Sequence, residues 1–138
     1  MTAKEYLMQA RYLNDLIESN IKELEHWRDL SGWISGSSFE PRYSPSRNIE
    51  PPFVRCLGKI TELEQDINGE VSRLVDLKKE ITAAVEQLGN AEEKLVLKYR
   101  YFSCMTWEQI CEKLCMSERT VRRVHGQALQ NFIVPDKS

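Results

Sequence analysis

The sequence predicts an all-α protein in which a long antiparallel helical hairpin, similar to a coiled coil, precedes a small C-terminal helix-turn-helix domain. Apolar residues recur at spacings of three and four along two long stretches, as on the buried stripe of a helix. A segment rich in proline, serine and glycine separates these stretches. Two short periodic segments follow near the C-terminus, and each is preceded by a helix-capping residue. We place the domain boundary between residues 89 and 90, which gives domains 1–89 and 90–138.

The first helix of the hairpin is predicted over residues 2–30. Its apolar stripe comprises Tyr6, Ala10, Leu13, Ile17, Leu24 and Trp27. Asn20 stands where the next apolar residue is due. A buried polar residue at such a position can fix the register of packed helices, and the alternative is that Asn20 faces solvent.

Residues 31–52 predict a flexible loop. Each proline there removes a backbone donor and disfavours helix in the residue before it. Trp33, Phe39 and Tyr43 are unusual in a linker. Two explanations stay open: these side chains attach the loop to the helices, or they contact a partner.

The second helix is predicted over residues 53–88. Its stripe comprises Leu57, Ile60, Leu63, Ile67, Val71, Leu74, Ile81, Val85 and Leu88. Asn68 and Gly69 mark the one place where the pattern also allows a break, and Gly89 is predicted to end the helix in the left-handed conformation. Two such helices leave apolar surface uncovered, so we expect a homo-oligomer or docking on another protein.

The segment 106–132 predicts two short helices with a tight joint. Thr106 and Gln109 have the spacing of a capping box, and Ser117 is a second capping residue. The inward positions of the second helix are Val121, Val124, Ala128 and Phe132, and the opposite face carries Glu118, Arg119, Arg122, Arg123 and His125. Residues 91–102 predict a supporting helix. This layout is typical of a helix-turn-helix reader of double-stranded DNA.

In that geometry the N-terminal part of the second helix enters the major groove, so positions 118, 119, 122 and 123 face the bases. Arg119 and Arg123 are the favoured base contacts, because the guanidinium fork matches two acceptors of guanine. The expected phosphate contacts, some of which could also reach bases, are Ser117, Thr120, Arg122, Lys98, Arg100 and His125. Trp107 packs either on a phosphate or in the core, and His125 touches a phosphate or faces water.

The residues 95–101, 106–110, Leu114, 117–124 and 128–129 resemble region four of bacterial primary sigma factors. The whole chain is similar to small phage-encoded late-gene regulators of the ArpU/RinA kind. This resemblance implies that Glu118, Arg119 and Arg123 read bases, that the protein is a phage-encoded regulator of late-gene transcription, and that it contacts RNA polymerase. Two departures matter: Cys115 replaces a small or acidic residue in the joint, and Arg123 replaces a glutamine. The DNA sequence read therefore does not follow from the resemblance.

Charge, cysteine spacing and hydropathy limit which other functions the chain could have. The formal net charge is −2, but the chain from Glu92 onward has eight Lys and Arg against six Asp and Glu. The acidic remainder suits a helical arm joined to a small basic reader. The four cysteines have no zinc-finger spacing, so we expect reduced thiols, no metal and no cofactor. Without a signal peptide or a long apolar run, we expect a cytoplasmic protein of the bacterial host, away from the membrane.

Three functions are compatible with these features. The leading one is a DNA-binding transcription regulator. The alternatives are a DNA-packaging recognition subunit similar to a small terminase, and a helical adaptor that binds another protein. An enzyme is not expected, because the two histidines are isolated and the sequence has no phosphate-binding loop or nucleophile elbow.

Overall fold

A computed structural model describes residues 1–36 and 51–135, and these residues form helices without any strand. The elements are α1 (Ala3–Gly36), α2 (Pro52–Val85), α3 (Ala91–Leu97), a π-helical turn (Lys98–Phe102), α4 (Trp107–Leu114) and α5 (Glu118–Asn131). The predicted all-α class is confirmed. The supporting helix that was predicted over residues 91–102 is therefore α3 continued by one wider turn.

The chain divides into two compact units, one comprising Met1–Asn14 and Arg73–Ser138, the other Asp15–Ser72. These units differ from the predicted division at residue 89, because the start of α1 and the end of α2 share a core with the C-terminal helices. Buried members of that core are Tyr6, Leu7, Ala10, Leu77, Ile81, Val85, Leu88, Leu97, Tyr101, Ala128 and Phe132. Each large apolar side chain buried there contributes about 1.5–3 kcal/mol.

A polar contact beside this core joins α1 to α2 within the first unit. The Tyr6 hydroxyl donates a hydrogen bond of 2.9 Å to Glu80 Oε2. Burial raises the pKa of Tyr6, and the Glu80 carboxylate raises it further, so the phenol stays protonated as the donor. The Phe132 ring lies 6.0 Å from the Tyr6 ring and joins the end of α5 to the same contact.

The second unit contains the middle of the predicted hairpin. Asn20 Nδ2 donates to both carboxylate oxygens of Glu70 at 2.9 Å, and Arg28 Nη2 lies 2.7 Å from Glu64 Oε1. Residue numbers rise along α1 while they fall along α2, so the two helices are antiparallel here as predicted. Asn20 forms a half-buried contact between the helices, which decides between its two predicted roles in favour of a register-fixing one.

The first helix continues beyond its predicted end at residue 30. The predicted start of the loop at residue 31 is therefore wrong. Ser31 and Gly32 are helical, and the Ser31 hydroxyl donates to the Arg28 carbonyl at 2.9 Å. One glycine costs a helix only about 1 kcal/mol, and no proline occurs before residue 41. Trp33 is therefore on α1, with 76% of its surface exposed. Phe39 and Tyr43 lie outside the described residues.

The second helix is continuous through Asn68 and Gly69, so the break that the sequence allowed there is absent. Its end differs from prediction. Gly89 is not left-handed, since no glycine in the described ranges has a positive φ. Instead the helix tightens after Val85, and Gln87 N and Leu88 N donate to the carbonyls three residues earlier, at 3.2 and 3.0 Å. Asn90 then caps α3 by accepting from Glu92 N and Glu93 N.

Over the ranges 1–36 and 51–135, no helix combines the length and apolar character that crossing a bilayer requires. Within the same ranges, no three His, Cys, Asp or Glu side chains come together in a way that could hold a metal ion.

We predict that Leu7→Ala lowers the free energy of unfolding by about 2–5 kcal/mol, because it leaves a cavity in the core that α5 also needs. Leu16→Ala is the matched control on the same helix, since Leu16 is 48% exposed. It is expected to change stability by less than about 1 kcal/mol. Urea unfolding followed by circular dichroism measures both. Equal losses for the two variants would contradict the shared core.

Candidate nucleic-acid interface

The first helix of the candidate reader, α4, begins at the capping box that the sequence predicts. Gln109 N donates to Thr106 Oγ1 at 3.2 Å, and Thr106 N donates to Gln109 Oε1 at 2.9 Å. Both free N–H groups are thereby satisfied, which fixes where the helix starts. Ile110 is fully buried one turn later and anchors α4 to the interior.

The joint between α4 and α5 depends on a left-handed cysteine. Cys115 has φ 54° and ψ 43°, a conformation that costs a residue with a side chain about 1–2 kcal/mol. Its N–H donates to the Glu112 carbonyl at 3.4 Å, and Met116 N donates to the Cys111 carbonyl at 3.1 Å. These two bonds close the end of α4 as in a Schellman motif. The chain thus turns sharply without glycine at this joint.

The second helix, α5, starts at Ser117, as predicted. Ser117 Oγ accepts from Thr120 N at 3.2 Å, and the two hydroxyl oxygens lie 2.9 Å apart. Both hydroxyls are therefore engaged in the cap, although Ser117 itself is exposed. The inward positions are buried as predicted and comprise Val121, Val124, Ala128 and Phe132. The inner face of α5 is consequently fixed by the core.

The outer face of α5 carries its charges into solvent. Glu118, Arg119, Arg122 and Arg123 are all exposed. Arg122 Nε lies 2.9 Å from Glu118 Oε1, so these two residues form an ion pair along the helix. Arg119 and Arg123 have no ion pair with any carboxylate in the part of the chain that the structure describes. Their guanidinium groups, one turn apart, are the cations of this face that remain available to a ligand.

Gly126 lies on the same outer face. It is exposed, and a Cβ at this position would meet no atom within 4 Å. Helical spacing puts it one turn beyond Arg122 and Arg123 and two turns beyond Arg119. The protein's own packing therefore does not require a glycine here. The backbone of α5 is uncovered next to the arginines.

His125, which the sequence predicted as a phosphate contact, is not on the outer face of α5. Its side chain is buried, with 8% of its surface exposed, and its Nε2 lies 2.7 Å from the Tyr101 hydroxyl oxygen. Burial, and to a smaller extent the nearby cations Arg100, Lys4 and Arg122, together lower the pKa of His125 from 6.5 to about 4. The imidazole is therefore neutral at physiological pH and belongs to the interior.

Trp107 joins this interior to two arginines. Its ring meets the His125 ring edge-on, with the centroids 4.8 Å apart and the planes at 81°. The guanidinium carbons of Arg100 and Arg122 lie 4.3 and 5.0 Å from the centre of the Trp107 ring. Such cation–π contacts fix the direction of both arginines. Trp107 is half-buried, so its role in the core is the one that the structure supports.

Lys98, another predicted phosphate contact, already has a carboxylate partner. Its Nζ lies 2.9 Å from Glu86 Oε1, and Lys94 Nζ lies 3.9 Å from the other oxygen. The hydrogen bond and charge of Lys98, together with the charge of Lys94, lower the pKa of Glu86. A phosphate at Lys98 would have to compete with this carboxylate.

Arg11, on α1, is a residue of this region that sequence analysis missed. Its Nη1 donates to the carbonyl oxygens of Arg100 and Met105, at 2.8 and 3.3 Å. The Arg100 carbonyl lies within the π-helical turn, and the Met105 carbonyl comes just before the N-cap of α4. The spacing of Arg11 within the first helix gives no signal for a contact with residues about ninety positions away.

We predict that the buried neutral His125 makes stability fall as pH falls from about 6.5 to about 4. Unfolded histidine has a pKa near 6.5, so in this window the unfolded state binds more protons than the folded state. The loss attributable to His125 is on the order of 2–3 kcal/mol. His125→Gln keeps a partner for the Tyr101 hydroxyl but does not titrate, so its stability should fall less steeply. Urea unfolding from pH 4 to 7.5 measures this, and parallel curves would contradict it.

The comparisons with known proteins give one match. Residues 54–132, more than half of the chain, match the family described as "Protein of unknown function (DUF1492)". No curated protein and no solved structure matches the chain. The family match does not bear on the resemblance to sigma factors or to ArpU/RinA regulators, which stays a prediction. It runs from the start of α2 to the residue after α5, and on this evidence the chain belongs to the DUF1492 family.

Proposed function

We propose that this protein is a sequence-specific regulator of transcription that binds double-stranded DNA by placing α5 in the major groove. One observation carries the proposal. Arg119 and Arg123 are exposed and lack carboxylate partners in the described chain, on a helix whose opposite face is buried in the core. A rigid helix that presents unpaired guanidinium groups near its N-terminus has the form of a recognition helix.

In this proposal Arg119 and Arg123 make the main contacts with the bases. The two side chains are four residues apart and extend from the same side of α5, so both can reach base edges along one groove. Each guanidinium can donate two hydrogen bonds to the O6 and N7 atoms of guanine. Glu118 could accept from a cytosine amino group, but it would have to share its carboxylate with Arg122. Guanine at two positions is therefore the expected core of the target.

Local charge, and not net charge, supports DNA binding. The chain as a whole has a formal net charge of −2, so bulk attraction to phosphates is weak. Binding would rest on the arginines of α5 and on the cations beside them. We expect a shallow dependence of affinity on salt, set by the few phosphates that are neutralised.

The finer parts of the proposal rest on the sequence resemblance alone. They comprise the origin in a phage, the role in late-gene control and the contact with RNA polymerase.

Self-association has separate support from Leu57 and Val71, which remain 43% and 41% exposed although they belong to the predicted stripe of α2. Selection of bound DNA from random oligonucleotides would show a palindrome for a symmetric dimer and a single asymmetric site for a monomeric reader.

We predict that Arg119→Ala and Arg123→Ala each weaken binding to the selected DNA by about 1–3 kcal/mol and relax the preference at one position. The loss follows from removing a two-point contact with a base. Fluorescence anisotropy with selected and scrambled duplexes measures affinity and preference. Arg55→Ala is the matched control, because Arg55 is an exposed arginine of α2. Wild-type affinity and preference in both α5 variants would disprove the groove assignment.

Gly126 gives an independent test of which face of α5 meets DNA. Gly126→Leu should not destabilise the fold, since its Cβ would meet no atom of the chain and leucine favours helix by up to about 1 kcal/mol. It should nevertheless weaken binding by about tenfold or more, equivalent to ~1.4 kcal/mol, by holding the duplex away from the arginines. Gly69→Leu is the control, because Gly69 is also an exposed helical glycine with open space around it. Unchanged affinity in Gly126→Leu would place the ligand on another face.

A further inference from the structure

Three arginines from different elements meet beside the start of α4. We call Arg11, Arg100 and Arg122 the arginine cluster. Arg11 Nη1 and Arg100 Nη1 both donate to the carbonyl oxygen of Met105, at 3.3 and 3.1 Å. Sharing one acceptor brings these two guanidinium groups next to each other. Arg122 joins them through Trp107, which contacts both Arg100 and Arg122.

The positive charge of the arginine cluster is only partly neutralised by nearby carboxylates. Arg122 pairs with Glu118, whereas neither Arg11 nor Arg100 forms an ion pair with a carboxylate among residues 1–36 and 51–135. Burial lowers the pKa of Arg100, and repulsion from Arg11 and Arg122 lowers it further. The folded chain therefore holds like charges together at a cost, and a bound anion would offset that cost.

Binding to backbone carbonyls does not account for this arrangement. The carbonyls of Arg100 and Met105 need only a hydrogen-bond donor, which a neutral amide would supply. A guanidinium has five N–H donors, and the bonds from Arg11 to the chain use only its Nη1. Its other nitrogens and its charge are left for a ligand, and Arg11 is partly exposed.

We propose that the arginine cluster is a binding site for a phosphate group, to which the N-terminal helix contributes Arg11. Arginine forks suit phosphate oxygens because they donate two parallel hydrogen bonds. That the phosphate belongs to a DNA backbone rests on the proposed function. In that case α1 takes part in positioning α5 on the duplex, while Arg119 and Arg123 read the bases.

The test uses the chain of 138 residues and its variant Arg11→Gln. Glutamine removes the charge and keeps a polar side chain, which is too short to replace the Nη1 contacts with the two carbonyls. Affinity should fall to a similar extent for selected and scrambled DNA, and the slope of log K against log salt should decrease by about 1. Arg11→Lys keeps the charge and should keep the slope. Arg28→Gln, which removes an exposed arginine paired with Glu64, should change neither quantity.

A second measurement separates this inference from the proposed function. Inorganic phosphate, compared with sodium chloride at equal ionic strength, should raise the melting temperature of the wild type but not of Arg11→Gln. Phosphate stabilisation without any DNA binding would support the site and refute the DNA function. DNA binding with an unchanged salt slope in Arg11→Gln would refute the site alone. Should Arg11→Gln not fold, the wild-type Arg11 Nε resonance is followed during phosphate titration, and a constant shift refutes the site.

Discussion

The burial of the start of α1 and the end of α2 against the C-terminal helices is the constraint on which the rest of the structure depends. Helices as short as α4 and α5, with eight and fourteen residues, are marginal in water without tertiary packing. For α5, Leu7 and Ile81 supply that packing from elements far away in sequence, since they share a core with Ala128 and Phe132. Because the core fixes the inner face of α5, it also decides that Arg119 and Arg123 point outward.

A neutral polar layer lies between this core and the arginines. Tyr101 and His125 share a hydrogen bond in the interior, and Trp107 contacts both the His125 ring and the guanidinium groups of Arg100 and Arg122. A charged imidazole here would be desolvated and repelled by Arg100, so the depressed pKa of His125 is a condition for the arrangement. The same charges that suit an anionic ligand therefore require an uncharged residue beneath them.

Local features were predictable from the sequence because their causes are local. The all-α class, the capping box at Thr106 and the cap at Ser117 follow from spacing and side-chain chemistry within a few residues. The boundary at residue 89 and the role of Arg11 depend on contacts across about seventy to ninety residues, which periodicity does not encode. His125 was misplaced for another reason: positions 121, 124, 125 and 128 form one helical stripe, but histidine was treated as a surface residue.

The family match and the folding unit do not coincide. The match covers residues 54–132, whereas the unit that contains α5 also includes Met1–Asn14. Tyr6 and Leu7 close the core, and Arg11 brings a third cation to the arginine cluster. Phosphate contacts generally set the position of a protein on DNA, while base contacts set its preference. If these tasks are divided here as proposed, residues 54–132 carry the side chains that set the preference for a DNA sequence. The N-terminal helix then holds the DNA-binding surface rigid and helps to position it on the duplex.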